Sequence, residues 1–277
     1  MANLKGRVAL VTGASRGVGK GIALGLGEAE AIVYVTGRTI LPGSGRLPGS
    51  IEETAKEVAL LGGKCIAIAC DHRDDEQVEA VFRQIQAEQG RIDILVNNVW
   101  GGYENMVENG EYTWERPFWQ QPLWRWDAMF AAGVRAHFTA SRLAAPVMVA
   151  QHSGLIVNIS YWAGQKHMGN TLYGVAKTAT DRLAADMAHE LREHNVAAVA
   201  LYPGLVRTEG VMAAAQFFNL SNSESPQFIG RAVAALAAEP DVMKKSGQVL
   251  VAATLALEYG FTDIDGKQPR PLACQEA

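Results

Sequence analysis

The sequence predicts an α/β fold, a doubly wound parallel sheet of seven strands with helices on both faces. Three observations predict it. Seven short β-branched runs punctuate the chain, and most are continuously apolar rather than alternating, as strands buried on both faces are. Longer helix-period patterns lie between them. A glycine-rich turn follows the first run and opens the first helix. Strict β–α alternation then implies right-handed crossovers and helices layered on both sides of the sheet.

The first strand is "RVALVTG" (7–13), with a helix near 18–29, and the second is "AIVYVTG" (31–37). The Gly/Pro/Ser-rich stretch "TILPGSGRLPGS" (39–50) reads as a mobile surface loop. Ser50 and Glu53 form a capping box that starts a helix over 51–61. "KCIAIAC" (64–70) is the third strand, and Asp74 with Gln77 is a variant box opening a helix over 75–89. "RIDILVNN" (91–98) is the fourth. The segment 100–126 that follows carries five of the six tryptophans. Packed that densely, they must cover a substrate, a neighbouring subunit or their own core, and all three readings stay open. Helices over 124–150, 171–194 and 226–238 precede the last strands, "LIVNIS" (155–160), "VAAVALYP" (196–203) and "GQVLVAA" (247–253). The apolar stretch 209–225 is a candidate lid. No linker, repeat or low-complexity tract breaks the chain. Residues 1–277 therefore read as one domain with a Trp-rich insertion near 100–126 and a substrate lid near 208–228.

Composition narrows the partners. The chain has 277 residues, 48% hydrophobic and 19% charged, with a net charge of −4 and no basic stripe. Nucleic acid and anionic membranes get no electrostatic support. No apolar run approaches the ~20 residues that span a bilayer, and the opening "MANLKGRVALVTGAS" is not a signal peptide. Three cysteines, Cys65, Cys70 and Cys274, lack metal spacing and suit a reduced, cytoplasmic protein. The histidines show no metal spacing either; His189 and His194, five apart, do not share a helix face. No metal is expected.

In "VTGASRGVGKGIA", Gly13, Gly17 and Gly19 let the backbone turn tightly and approach a ligand. The helix N-terminus behind them offers free amides to a pyrophosphate, the Rossmann arrangement. After the second strand stand Gly37, Arg38 and Thr39, with no acid until Glu52. An arginine there accommodates a 2′-phosphate, and Arg16 offers a second guanidinium, so NADP(H) is favoured over NAD.

Ser160 closes a strand, Tyr173 begins a helix and Lys177 follows one turn later. Ligands of open α/β sheets bind beyond the carboxyl ends of strands, which is where Ser160 falls. A phenol is a poor base at neutral pH. A close ammonium and an oxidised nicotinamide would lower its pKa, making Tyr173 a usable acid/base with Ser160 on the reacting oxygen.

These landmarks, "TGASRGVG" (12–19), "CDHRD" (70–74), "NN" (97–98), Ser160, "YGVAK" (173–177) and "PGLVRT" (203–208), resemble the short-chain dehydrogenase/reductase family over roughly residues 4–260. "LYGVAKTATDRLAADMAHEL" and "YGFTDIDG" resemble one animal branch of it. The resemblance implies Tyr173 as acid/base, Lys177 on the nicotinamide ribose and Ser160 orienting the carbonyl or alcohol. It implies a cofactor held by Gly13, Ser15, Arg16, Gly17, Val18 and Gly19, by Arg38, Asp71, His72 and Asn98, and by Pro203, Gly204, Val206 and Thr208. It also implies a dimer or tetramer. A hydrophobic substrate would meet Trp100, Trp162, Phe217 and Phe218. Two departures stand out. The chain reads "NNVWGG" where the family has Asn-Asn-Ala-Gly, and Gly133 replaces an asparagine that anchors a water in the proton relay. Two other readings stay open: a cofactor-binding regulator whose chemistry has decayed, and an NAD-dependent enzyme of the same fold.

Overall fold

The computed structural model describes residues 2–45 and 47–273; Cys274 lies outside them. Its centre is a seven-stranded, wholly parallel sheet. In chain order the elements begin with β1 (Val8–Val11), α1 (Gly17–Glu28), β2 (Ile32–Gly37), α2 (Ile51–Leu60), β3 (Lys64–Ala69), α3 (Asp75–Gln89) and β4 (Ile94–Asn97). The Trp-rich segment adds a small hairpin, β5 (Val107–Glu108) and β6 (Glu111–Tyr112), before α4 (Leu123–Met129) and α5 (Ala136–Gln151). Then come β7 (Gly154–Ile159), α6 (Thr171–Leu191), β8 (Val196–Tyr202), α7 (Glu209–Ala213), α8 (Pro226–Ala238), β9 (Val249–Val251) and α9 (Ala252–Tyr259).

The sheet order is β3-β2-β1-β4-β7-β8-β9. The chain steps outward from β1 to β3 and then returns to pair β4 on the other side of β1. The order reverses there, and the strand ends beside that reversal form a crevice. Strand alternation divides the core in two. Ala9 and Val11 of β1 face a layer built by α1, α2, α8 and α9, whereas Val8 and Leu10 face α3, α5 and α6. Both N-caps form, Ser50 accepting from the Glu53 amide and Asp74 from those of Glu76 and Gln77.

Three elements differ from the sequence reading. The expected helix over 124–150 is interrupted between α4 and α5 by a π-helical turn, Phe130–Arg135, around Gly133. The last strand is shorter than 247–253, and its apolar run continues into α9, which ends at Gly260 with φ 71°. Continuous apolarity cannot tell a buried strand from a buried helix, which is how α9 escaped notice. The expected helix over 171–194 ends in a 3₁₀ turn, Arg192–His194.

α1 and α8 pack with almost no side-chain layer between them. A Cβ on Gly21 would enter the backbone of Pro226, and one on Gly25 would enter the backbone of Gly230. Helix propensity alone says that Gly25→Ala gains about 1 kcal/mol. Overpacking against immovable backbone costs about 1–3 kcal/mol or more, so steric conflict wins. Gly25→Ala should therefore lower the urea midpoint; a raised midpoint would mean the helices separate freely.

Candidate active site

The crevice between β1 and β4 is closed by hydrogen bonds rather than by side-chain bulk. The Asn98 side-chain amide donates to the Thr12 and Gly13 carbonyls at 3.0 and 2.9 Å. The Thr12 hydroxyl oxygen accepts from the Asn98 and Val99 amides at 3.0 and 3.1 Å. Gly13 has φ +66°, and a Cβ on it would lie 2.7 Å from Val99 Cα. A Cβ on Gly19 would collide with the Asn98 amide. α1 starts without a side-chain cap and without an acid in its first turn. An anion already sits there: the Gly17 amide donates to Glu209 Oε2 at 2.9 Å. A close-approach glycine cradle at an uncapped helix start is what a dinucleotide pyrophosphate requires, and these residues fit one.

Outer cofactor positions fall less uniformly. Arg16 is committed to its own loop, donating to Pro48, Leu47 and Gly49 carbonyls and to the Thr39 hydroxyl. It braces residues 39–50 rather than standing free as a second cation. Arg38 is over half exposed and pairs loosely with Glu104 at 3.7 Å. Asp71 is held by Arg73, whose hydrogen bonds bring its carboxyl down to about 2. His72 turns inward to the Thr36 hydroxyl at 2.7 Å, and burial pushes it down to about 4. Its ring packs inward beside Thr36. Ser15 is buried behind the glycine turn and Val18 packs against the main core.

Ser160, Tyr173 and Lys177 come together in space. Asn170 caps α6 by accepting from the Tyr173 amide at 3.0 Å, which fixes the first turn of the helix. Lys177 lies one turn on, its Nζ 5.7 Å from the Tyr173 ring centre and donating to the Ile159 carbonyl at the end of β7 at 3.2 Å. Ser160 follows directly, its hydroxyl donating to the Lys177 carbonyl at 3.4 Å.

Electrostatics run against the sequence expectation. Burial raises the Tyr173 pKa well above the ordinary phenol value, and a hydrogen bond to the Tyr103 hydroxyl adds to the rise. Burial also brings Lys177 down to about 7, despite Asp181. Among the protein's own groups desolvation is the largest effect on the phenol, so Tyr173 is held neutral. Sequence reasoning missed Tyr103, Asp181 and Tyr202. Asp181 lies four residues beyond Lys177 on the same helix face, a legible spacing. Its carboxylate accepts from the Tyr202 hydroxyl and faces Ser160, and burial raises its pKa.

Aromatic rings wall the site. Tyr173 has Trp114 at 5.4 Å, Trp100 at 5.8 Å, Tyr103 at 5.9 Å and Tyr161 at 6.3 Å between ring centres. Trp162, expected on the substrate side, is only 6% exposed and packs edge-on against Tyr202, because its 3₁₀ turn aims it inward. Phe217 is 80% exposed.

The "PGLVRT" segment is anchored by another residue not foreseen, Glu224. It accepts from the Gly204 amide at 2.7 Å, and its backbone bridges Val206. Thr208 caps α7, and Pro203 is buried.

Comparison with known proteins gives the same direction throughout. The family model described as short chain dehydrogenase matches residues 7–217. Dehydrogenase/reductase SDR family member 1 of Mus musculus is 43% identical over 284 residues, covering 96% of this chain and 86% of the relative. A metagenomic short-chain oxidoreductase solved in complex with NADP is 30% identical, with a TM-score of 0.69 over 90% of this chain and 97% of that one. A 7α-hydroxysteroid dehydrogenase complexed with NADH and 7-oxo glycochenodeoxycholic acid is 26% identical, with a TM-score of 0.72 over 90% and 93%.

Glu224 also makes a pH prediction. Burial raises its carboxyl to about 7. A folded-state pKa above the unfolded one means the native state binds the extra proton, so stability rises as pH falls from about 7 toward about 4.5. The gain has an upper bound of about 3 kcal/mol from the size of the shift. Urea midpoints at pH 5 and pH 7 should differ less in Glu224→Gln than in the unaltered protein; equal differences would reject this assignment.

Proposed function

Because the chain belongs to the short-chain dehydrogenase family, we propose that it moves a hydride between NADP(H) and the carbonyl or secondary-alcohol carbon of a hydrophobic small molecule, with Tyr173 as acid/base. The observation that carries this reading is the buried Tyr173–Lys177 pair, one helical turn apart and flanked by Ser160. The bound nicotinamide supplies or accepts the hydride. All other work falls to side chains of this chain.

Tyr173, kept protonated by burial, is suited to donate its proton to the oxygen of a carbonyl as that carbon is reduced. The Lys177 ammonium favours the phenolate left behind. Ser160 can turn its hydroxyl from the Lys177 carbonyl to the reacting oxygen, where a donor matters most as negative charge develops. In the reverse direction the phenolate would take the alcohol proton. The aromatic wall of Trp114, Tyr103 and Tyr161, with Phe217 and Phe218 exposed on the lid segment, supports a hydrophobic substrate. Arg38 supports NADP(H): no acid follows β2 until Glu52, and its ion pair with Glu104 is long at 3.7 Å, so a phosphate can take that carboxylate's place.

Tyr173→Phe should retain NADPH binding while single-turnover oxidation of NADPH with a ketone panel slows by about 10²–10⁴-fold. Equal rates with the unaltered protein would remove Tyr173 from the chemistry. Arg38→Asp should reverse the cofactor preference toward NADH, measured as the ratio of the two dissociation constants; an unchanged ratio would refute the NADP(H) assignment.

A further inference from the structure

Lys177 is a buried cation without a counterion in contact. It is 5% exposed, its Nζ makes one hydrogen bond, to the uncharged Ile159 carbonyl, and no carboxylate among the described residues pairs with it. A charge so desolvated needs a favourable partner. The group directly against it is an aromatic face: the Lys177 ammonium sits 3.8 Å from the centre of the Trp100 ring.

The surroundings hold that ring in place. A Cβ on Gly133 would lie 2.7 Å from Cζ3 and 2.9 Å from Cε3 of Trp100, so any larger residue there displaces the indole. Gly133 itself stands in the π-helical turn Phe130–Arg135, the kind of local bulge that often accompanies a functional site. The residue before Trp100 is fixed by His137, whose Nε2 bonds the Val99 carbonyl at 3.0 Å; burial keeps this histidine neutral, so the ring carries its proton on that nitrogen. The indole meets Tyr173 edge-on, with an interplanar angle of 82°. Its Nε1 is buried without a partner, so no hydrogen bond of its own explains where the ring lies.

We propose that Trp100 is a positioning residue of the proton-transfer pair: its π face holds the Lys177 ammonium beside Tyr173 and keeps it charged, and position 133 is glycine to admit the ring. The proposal rests on the reading of Tyr173 and Lys177 as that pair. It also accounts for the departure noted at Gly133, since the space of the missing side chain is filled by the indole. The other titratable groups facing Lys177 are Tyr173 and Asp181 on its own helix and His137 on α5, while β7 contributes only the Ile159 carbonyl. None of these groups is altered when Trp100 is replaced, so none of them accounts for a shift in Lys177; a loss of burial alone would raise its midpoint, opposite to the loss of the indole contact.

The test follows the Lys177 titration by NMR in protein carrying ¹³C-labelled lysine, the resonance assigned by its loss in Lys177→Met. The kcat profile against pH for ketone reduction is measured alongside. Loss of a desolvated cation–π contact should lower the Lys177 midpoint by about one pH unit or more in Trp100→Leu. Gly133→Ala should shift it the same way with Trp100 still present, and Trp100→Phe should restore most of the difference. The fall in kcat on raising the pH should begin earlier by the same interval. An unmoved midpoint in both Trp100→Leu and Gly133→Ala overturns the proposal. So does a Trp100→Leu enzyme that changes only KM, which would make the ring a substrate wall. If Trp100→Leu does not fold, Gly133→Ala and Trp100→Phe carry the comparison. If the midpoints move as expected but Tyr173→Phe turns over ketones normally, the indole–ammonium contact stands and the catalytic reading falls.

Discussion

The site depends on how the carboxyl ends of β1 and β4 are joined. Two parallel strands leave peptide groups unpaired where they stop, and here the stops face a crevice that must also admit a ligand. Asn98 and Thr12 satisfy those groups across the gap, so no bulky side chain has to cross it. Gly13 and Gly19 then let the neighbouring turn close against the same residues. Filling that space with any Cβ would separate the strands, displace Val99 and carry Trp100 off the lysine.

Desolvation governs the chemistry built on that frame. Tyr173 and Lys177 are both buried, and burial opposes charge on each, raising the phenol and lowering the amine. The protein alone thus favours a neutral tyrosine and a lysine that is only partly charged near neutrality. Asp181, half buried and linked to Tyr202 and Ser160, keeps a negative charge within reach of the lysine without forming a pair that would fix its position.

Much of this was legible in the sequence, for definite reasons. Buried parallel strands are apolar without alternation, and all seven runs became neighbouring strands. Tyr173, Lys177 and Ser160 are near in sequence or at a strand end, so their meeting follows from helix spacing and the α/β rule. What stayed hidden depends on contacts between distant segments. Arg16 reads as a free cation until the loop at 47–49 folds onto it. Trp162 reads as a pocket wall until its 3₁₀ turn aims it at Tyr202. The pKa of Tyr173 could not be inferred from its partners alone, because burial, the larger effect, has no local sequence signature.

The Trp-rich insertion shows why a peripheral segment need not be peripheral to function. At its centre is Arg125, fully buried and with no carboxylate among the described residues in salt-bridge contact. Its guanidinium lies over Trp114 and Trp124 and donates to the Thr113 and Asn105 carbonyls, the Thr113 hydroxyl and the Gln121 side chain. Four hydrogen bonds fanned from the two terminal nitrogens of one rigid cation can gather an irregular chain that has little regular structure of its own. The gathered segment meets the main body at Trp114, whose ring packs on Tyr173 and whose carbonyl accepts from the Asn170 amide at 2.7 Å. Asn170 is also the cap of α6, the helix that presents Tyr173 and Lys177. The insertion is thereby tied to the residue that orients the helix and to the ring that carries the proton. A disturbance around Arg125 reaches the phenol through two contacts, although no residue of the hairpin needs to touch a substrate.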